Sequence, residues 1–376
     1  MKTFGYYLFD NYDSKDVKTK EDDPRAVLNE KVDPVLTEVV QTPPGECRYD
    51  SLCAKHTQVL VDQLIHIGLF RLEGETVFLD APVFVQEDHA ALKAAFSNDL
   101  SRMVERINLR KDDFYQWANQ LNNGFSPEVN LYHVLCGAIL DGSFFDELVK
   151  HDLVATSRIH KSGLDYLIIV YEKSPDLNDF SNKLLCSYNR FSDGKRTLQS
   201  FGDAVGERVD AFRFMCQKRL GKVPQRLAHI EKLWDALGTN DVKEVLLSEM
   251  QQFVETGSCN ETCLKLLTEF GYFRNGKMIV PVYLQEHNLI IQALTASTIE
   301  CIFDLMQKAL TSPELFSNLW CGKHGVSSKE IANELYHIVF GQLNELLVQS
   351  GFVCEPEFHS GEGRYLKSIE IMGTSH

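Results

Sequence analysis

Two stretches of the chain, "GLFRLEGETVFLDAPVFVQED" from Gly68 and "GYFRNGKMIVPVYLQEH" from Gly271, follow one design. Gly68, Phe70 and Arg71 align with Gly271, Phe273 and Arg274, and after a slip of register Pro82, Val83, Gln86 and Glu87 align with Pro281, Val282, Gln285 and Glu286. Further on, "LYHVLCG" from Leu131 matches "LYHIVFG" from Leu335, and "IHKSGLDYL" from Ile159 matches "FHSGEGRYL" from Phe358. Four blocks in one order point to a tandem duplication, so whatever folds must fold twice. The expected division is an N-terminal arm over 1–24, a first copy over 25–172, a polar linker over 173–204 and a second copy over 205–376.

The pattern also says what is repeated. Leu60, Leu64 and Ile67 form the apolar stripe of a helix that stops at Gly68, and Leu264, Leu267 and Phe270 do the same before Gly271. Short β-prone runs follow each glycine, giving a unit of helix, glycine stop and β-hairpin. Later in each copy the stripes Leu131, Val134, Leu135, Ala138, Ile139 and Leu335, Ile338, Val339, Leu343, Leu346, Leu347 begin a second such unit. Ser327 or Ser328 would cap the last of these helices, with Glu330 closing a capping box from Ser327. The expected fold is α+β and mostly helical, with two helix-plus-hairpin units per copy and a pseudo-twofold relation between copies.

Composition restricts the function. Of 376 residues 44% are hydrophobic and 24% charged, ample for two or three cores. Ten scattered cysteines fit reduced thiols, no signal peptide is read at the N-terminus, and no apolar run approaches a membrane span, so cytoplasmic residence is expected. The formal net charge of -15, from 38 bases against 53 acids, repels nucleic acid unless bases gather on one face. One such cluster exists, Lys218, Arg219, Lys222 and Arg226, without an acid between them. Walker, dinucleotide, Gly-x-Ser-x-Gly and His-Glu-x-x-His patterns are absent, so neither catalysis nor a cofactor is expected.

From Ser327 to Met372 the stretches "SSKEIANEL", "LNELLVQSGFV" and "GRYLKSIEI" resemble a winged helix-turn-helix module of the bacterial MarR or ArsR type. Leu346, Leu347, Gly351, Phe352 and Val353 match the end of that family's groove-reading helix, and Arg364 its basic wing. The resemblance implies a transcription regulator bound to double-stranded DNA, with Arg364 and Lys367 joining Lys218, Arg219, Lys222 and Arg226 on the phosphates. The helix departs from the pattern in its length and in the acids Glu334 and Glu345 on its outer side. Winged helices also grip proteins, as in acidic accessory subunits of chromosome-organising complexes. The partner is accordingly duplex DNA or a protein, and the chain a monomeric pseudo-dimer or a homodimer.

Histidines recur at matched places. His133 and His337 lie about 200° round their helices from the stripes, each followed by a glycine and an acid, off the core-facing side. His160 with Tyr166 and His359 with Tyr365 lie on the hairpins. These six residues form either a ligand site or a packed junction between helix and hairpin. Metal is not expected; Cys259, Cys263, Cys321 and His324 are the candidates, but they include no Cys-x-x-Cys pair and fall in two elements about sixty residues apart.

Overall fold

A computed structural model describes residues 2–12, 16–181, 187–202 and 209–372. In it the four helices of the repeated units stop in the same way, as do two others, at Gly221 and Gly325. The amides of Gly68 and Leu69 bond back to the carbonyls of Ile65 and Leu64, those of Gly271 and Tyr272 to Thr268 and Leu267, and those of Gly351 and Phe352 to Val348 and Leu347. Asp152 and Leu153 do the same with Val149 and Leu148, so all four are the double-bonded stop that needs a left-handed residue. Gly68 and Gly271 hold φ +74° and +77°. At Gly68 glycine is required twice over, because a Cβ there would lie 2.5 Å from His160 Nδ1; at Gly271 the nearest atom is the mobile end of Lys367, and the backbone conformation alone sets the requirement.

Each stop leads into strands. Phe70–Glu73 pairs with Thr76–Leu79, and Phe273–Arg274 with Lys277–Met278. The later hairpins, Arg158–Ile159 with Asp165–Glu172 and Phe358–His359 with Gly363–Ile371, have one short and one long arm. The long arm sits inside a sheet in both cases. Asp165–Glu172 lies between Phe4–Asp10, antiparallel, and Val83–Phe84, parallel. Gly363–Ile371 lies between Arg196–Gly202, antiparallel, and Val282–Leu284, parallel, with Ser187–Ser192 added outside. Both sheets thus share one order, and Tyr166 faces Asp10 as Tyr365 faces Gly202.

Two expectations about the ends of the copies change. The N-terminal arm contributes Phe4–Asp10 as a full sheet strand, and within 173–204, expected as a linker, Ser187–Ser192 and Arg196–Gly202 are strands. Turn-rich composition hid them, because Asp193-Gly194 is a hairpin turn between strands rather than a spacer. Residues 182–186 and 203–204 of that segment lie outside the described residues.

The chain divides into two compact units, but not at the boundary between copies. The first comprises 1–106, 145–183 and 302–343; the second comprises 107–144, 184–301 and 344–376. Each unit therefore carries the sheet of one copy and a helical block from the other. The fold is α+β and mostly helical.

In the first unit the block 302–343 is tied down by Lys308 to Asp99 at 3.1 Å, by the Trp320 amide to Asp88 at 2.8 Å, by Asn333 Nδ2 to the Ala155 carbonyl at 2.7 Å and by the Tyr171 hydroxyl to Glu334 at 2.8 Å. In the second unit the Tyr283 hydroxyl donates to Asn130 at 3.2 Å, Tyr115 to the Phe352 carbonyl at 2.9 Å and Lys111 to the Gly351 carbonyl at 3.2 Å. The core of that unit centres on Phe214, Trp234 and Phe270, with ring centroids 5.2 and 5.8 Å from Phe214.

Burial corrects the reading of the repeated helices. From Glu330 to Val348 no residue of Ser328–Gln349 is exposed, and Tyr132–Ser143 is wound as a π-helix enclosed on nearly every side. The stripe therefore has no fully exposed face opposite it: His133 is buried, and Glu334 and Glu345 are half-buried. Glu330 meets Arg158 at 3.4 Å rather than closing a capping box. Helix Asn288–Leu310 is long and apolar enough to cross a membrane by length and composition, contrary to expectation. It carries Glu300 and Asp304, ion-paired to Arg110 and Arg106, and buries Leu294, Ile302, Leu305 and Met306.

If each sheet needs the other copy's helical block, neither copy suffices alone. Fragments 1–183 and 184–376 should each be largely unfolded by circular dichroism when expressed singly, and should co-purify as a folded pair when expressed together. A cooperatively folded single fragment would show that a copy is self-sufficient.

Candidate functional site

The second unit contains a cavity of about 350 Å³, and it gathers residues from both copies. His133 arrives on the π-wound helix that continues from Pro127–Leu131, a helix capped by Ser126 Oγ on the Val129 amide. Rare π-windings in helices often mark functional places. Asn130, one residue past Val129, is locked by Asn123, the Phe125 carbonyl and Tyr283, which fixes where the next turn carries His133. His133 is 8% exposed and, among the described residues, has no hydrogen-bond partner. Burial lowers its pKa to about 3, so its imidazole is neutral and offers one N–H and one lone pair.

The opposite walls come from the second copy. Tyr365 and Lys367, two apart on one strand, share a face of the sheet. The Tyr365 hydroxyl donates to Asp210 at 2.9 Å, and Asp210, 1% exposed, also caps helix Ala211–Arg219 through the Arg213 amide. Gly202 makes room for the Tyr365 ring, since a Cβ there would lie 1.7 Å from it. Lys367 Nζ passes over Gly271 and lies 5.3 Å from the Tyr365 ring centre. Arg274, at the end of the short hairpin strand, is exposed on the same cavity, and His359 stands at its rim. The acids present are Glu355, engaged by Arg364 at 2.9 Å, and Glu362.

The matching residues of the first unit are closed. His337 donates from Nδ1 to the Asn333 carbonyl at 2.8 Å and stacks on Phe9 at 5.0 Å; burial lowers its pKa to about 4. His160 stacks on Tyr166 with centroids 3.8 Å apart and donates to the Tyr166 carbonyl at 3.1 Å, while the Tyr166 hydroxyl donates to the Ile67 carbonyl at 3.0 Å. Arg71, the counterpart of Arg274, donates to the carbonyls of Leu79 and His324 and pairs with Glu73. The six repeated His and Tyr residues thus divide: His160, Tyr166 and His337 pack a junction, whereas His133, His359 and Tyr365 line a cavity.

The expected phosphate ligands are differently placed. Lys218 is held by Glu231 at 2.8 Å and Asp235 at 3.0 Å, and Arg364 by Glu345 at 3.0 Å and by Glu355. Arg219, Lys222 and Arg226 are exposed. Arg364 pairs with Phe358 in the short hairpin, beside its tip, and its guanidinium is turned back onto Glu345 and Glu355.

The metal candidates are not brought together. Cys259 and Cys263 belong to the second unit, Cys321 and His324 to the first, and no group of three or more His, Cys, Asp or Glu among the described residues is placed to hold an ion. The nine described cysteines are free thiols, and burial pushes the pKa of Cys321 well up. Sequence reasoning missed Asn130, Asp210 and Arg274 as site-builders. Arg274 alone had a signal, its identity with Arg71 in the repeat.

Comparison with protein-family models, with curated proteins and with solved structures finds no match.

Two carboxyls of the first unit are unusual. Burial raises Glu330 and Glu334 to about 7, Glu334 against the stabilising hydrogen bond from Tyr171. Glu334 keeps its proton in the folded protein to near neutrality, while the unfolded chain releases it near 4.3. The stability this proton confers is complete below about pH 4.3 and is lost as pH rises to about 7. Replacing Glu334 with Gln should remove that loss, so native and variant unfolding free energies diverge across this window by roughly 3–4 kcal/mol. Parallel pH profiles from 4 to 8 would show that Glu334 is ionised throughout.

Proposed function

We propose that the chain is a non-catalytic interaction protein, whose winged-helix-like helix-plus-hairpin modules hold a protein partner and do not read DNA. The observation that carries this reading is the internal commitment of the bases: Lys218 and Arg364 each face two acids of the chain itself. A base held between two carboxylates presents little positive potential to a phosphate, and phosphate neutralisation supplies most nucleic-acid affinity. The helix that the winged-helix resemblance assigns to the major groove has no fully exposed residue between Glu330 and Val348, and its half-buried positions include the acids Glu334 and Glu345, a poor surface for base edges. The net charge of -15 favours a basic protein surface as partner, because the summed field steers such a surface inward and phosphates away.

Fluorescence anisotropy with random-sequence duplex DNA tests the reading. Between about 50 and 200 mM salt the chain should show no saturable binding. Saturable binding that weakens about a thousandfold across that range would establish several phosphate contacts and restore the DNA-regulator reading. The exposed Arg219, Lys222 and Arg226 would then be the residues to replace.

A further inference from the structure

The duplication supplies an internal comparison. Three repeated positions, His337 and His133, Arg71 and Arg274, His160 and His359, have one fold context twice. In the first unit each side chain is consumed by packing or hydrogen bonds: His337 on Asn333 and Phe9, Arg71 on two carbonyls and Glu73, His160 on Tyr166. In the second unit the counterparts all border one cavity. His133 is nine-tenths buried there with no partner among the described residues, and the same holds of hydrogen bonds and ion pairs for the exposed Arg274. The ring nitrogens of His133 are not sealed in the interior, so they open onto the cavity and can meet a solute there. A duplicated fold that satisfies these groups in one copy and leaves them facing a cavity in the other has kept the second place for a ligand.

The chemistry of the walls selects the ligand. Arg274 is an exposed cation, Lys367 brings a second ammonium beside the Tyr365 ring, and of the two acids Glu355 is held by Arg364 while Glu362 also lines the cavity. Neutral His133 adds an N–H donor, and Val129, Ile279 and Leu366 add an apolar side. About 350 Å³ is at the lower end of the volumes that take small organic molecules. We propose that this cavity binds a small organic anion, its carboxylate or phosphate held by Arg274, Lys367 and His133 and its hydrocarbon part against the apolar side. Because His133 belongs to one copy and Arg274 and Lys367 to the other, such a ligand would join the exchanged helical block to its host sheet.

Saturation-transfer NMR on the full chain with hexanoate, hexyl phosphate and hexanol decides the matter. One anion or both should bind at or below millimolar concentration while hexanol does not, and the better anion identifies the head group. Arg274→Gln, at an exposed position, should weaken that anion at least tenfold, and His133→Phe should weaken it while circular dichroism shows the fold retained. Lys277→Gln, on the neighbouring strand outside the cavity lining, should leave binding unchanged. Absence of anion binding up to about 10 mM, binding of hexanol as tight as that of the anions, or native affinity in Arg274→Gln would each overturn the proposal.

Discussion

The demand of two helices for burial on all sides governs this molecule. Tyr132–Ser143 and Ser328–Gln349 place Tyr132, Leu135, Cys136, Ile139 and Ile331, Leu335, Tyr336, Phe340, Leu343 out of water, far more apolar surface than a short hairpin can cover. At roughly 25 cal/mol per Å² such burial outweighs any surface ion pair in the chain. The chain meets the demand by exchange between distant segments: the block 107–144 belongs to the unit that carries the strands of 187–202 and 363–371, and 302–343 to the unit that carries those of 4–10 and 165–172. Polar links such as Tyr283 to Asn130 and Tyr171 to Glu334 then set the register of a contact that burial drives.

The exchange explains why a site can contain His133 with Arg274 and Lys367, residues far apart in sequence and from different copies. It also explains why the two units are unequal. Phe9 closes the first unit's histidine by stacking on it, while the corresponding strand of the second copy brings Phe201 within 3.9 Å of where a Cβ on Gly137 would lie. Small differences between copies thus decide whether the same side chain packs or faces a cavity.

Much of the architecture was legible in the residues. Glycines at 68, 271 and 351 announced the helix stops, because a left-handed residue there has few substitutes, and alternating β-prone runs announced the hairpins. The fourth stop was less visible, since Asp152 performs it without a glycine. The strands at 4–10 and 187–202 were masked by polar, turn-forming neighbours. The exchange itself leaves no mark in the sequence, because a helix with apolar residues all round does not say which sheet it will cover. For the same reason His133 read as an outward side chain, and the pairing of Lys218 and Arg364 with Glu231, Asp235, Glu345 and Glu355 was hidden by separation along the chain.

Zero-length carbodiimide cross-linking followed by peptide mapping examines the exchange directly. Lys308 lies 3.1 Å from Asp99, and Lys329 contacts Asp152, each pair joining the second copy to the first within one unit. Both cross-links are expected in monomeric protein. A monomer in which Lys308 and Lys329 couple only to acids beyond residue 204, or in which these two links appear solely in a dimeric fraction, would contradict exchange within a single chain.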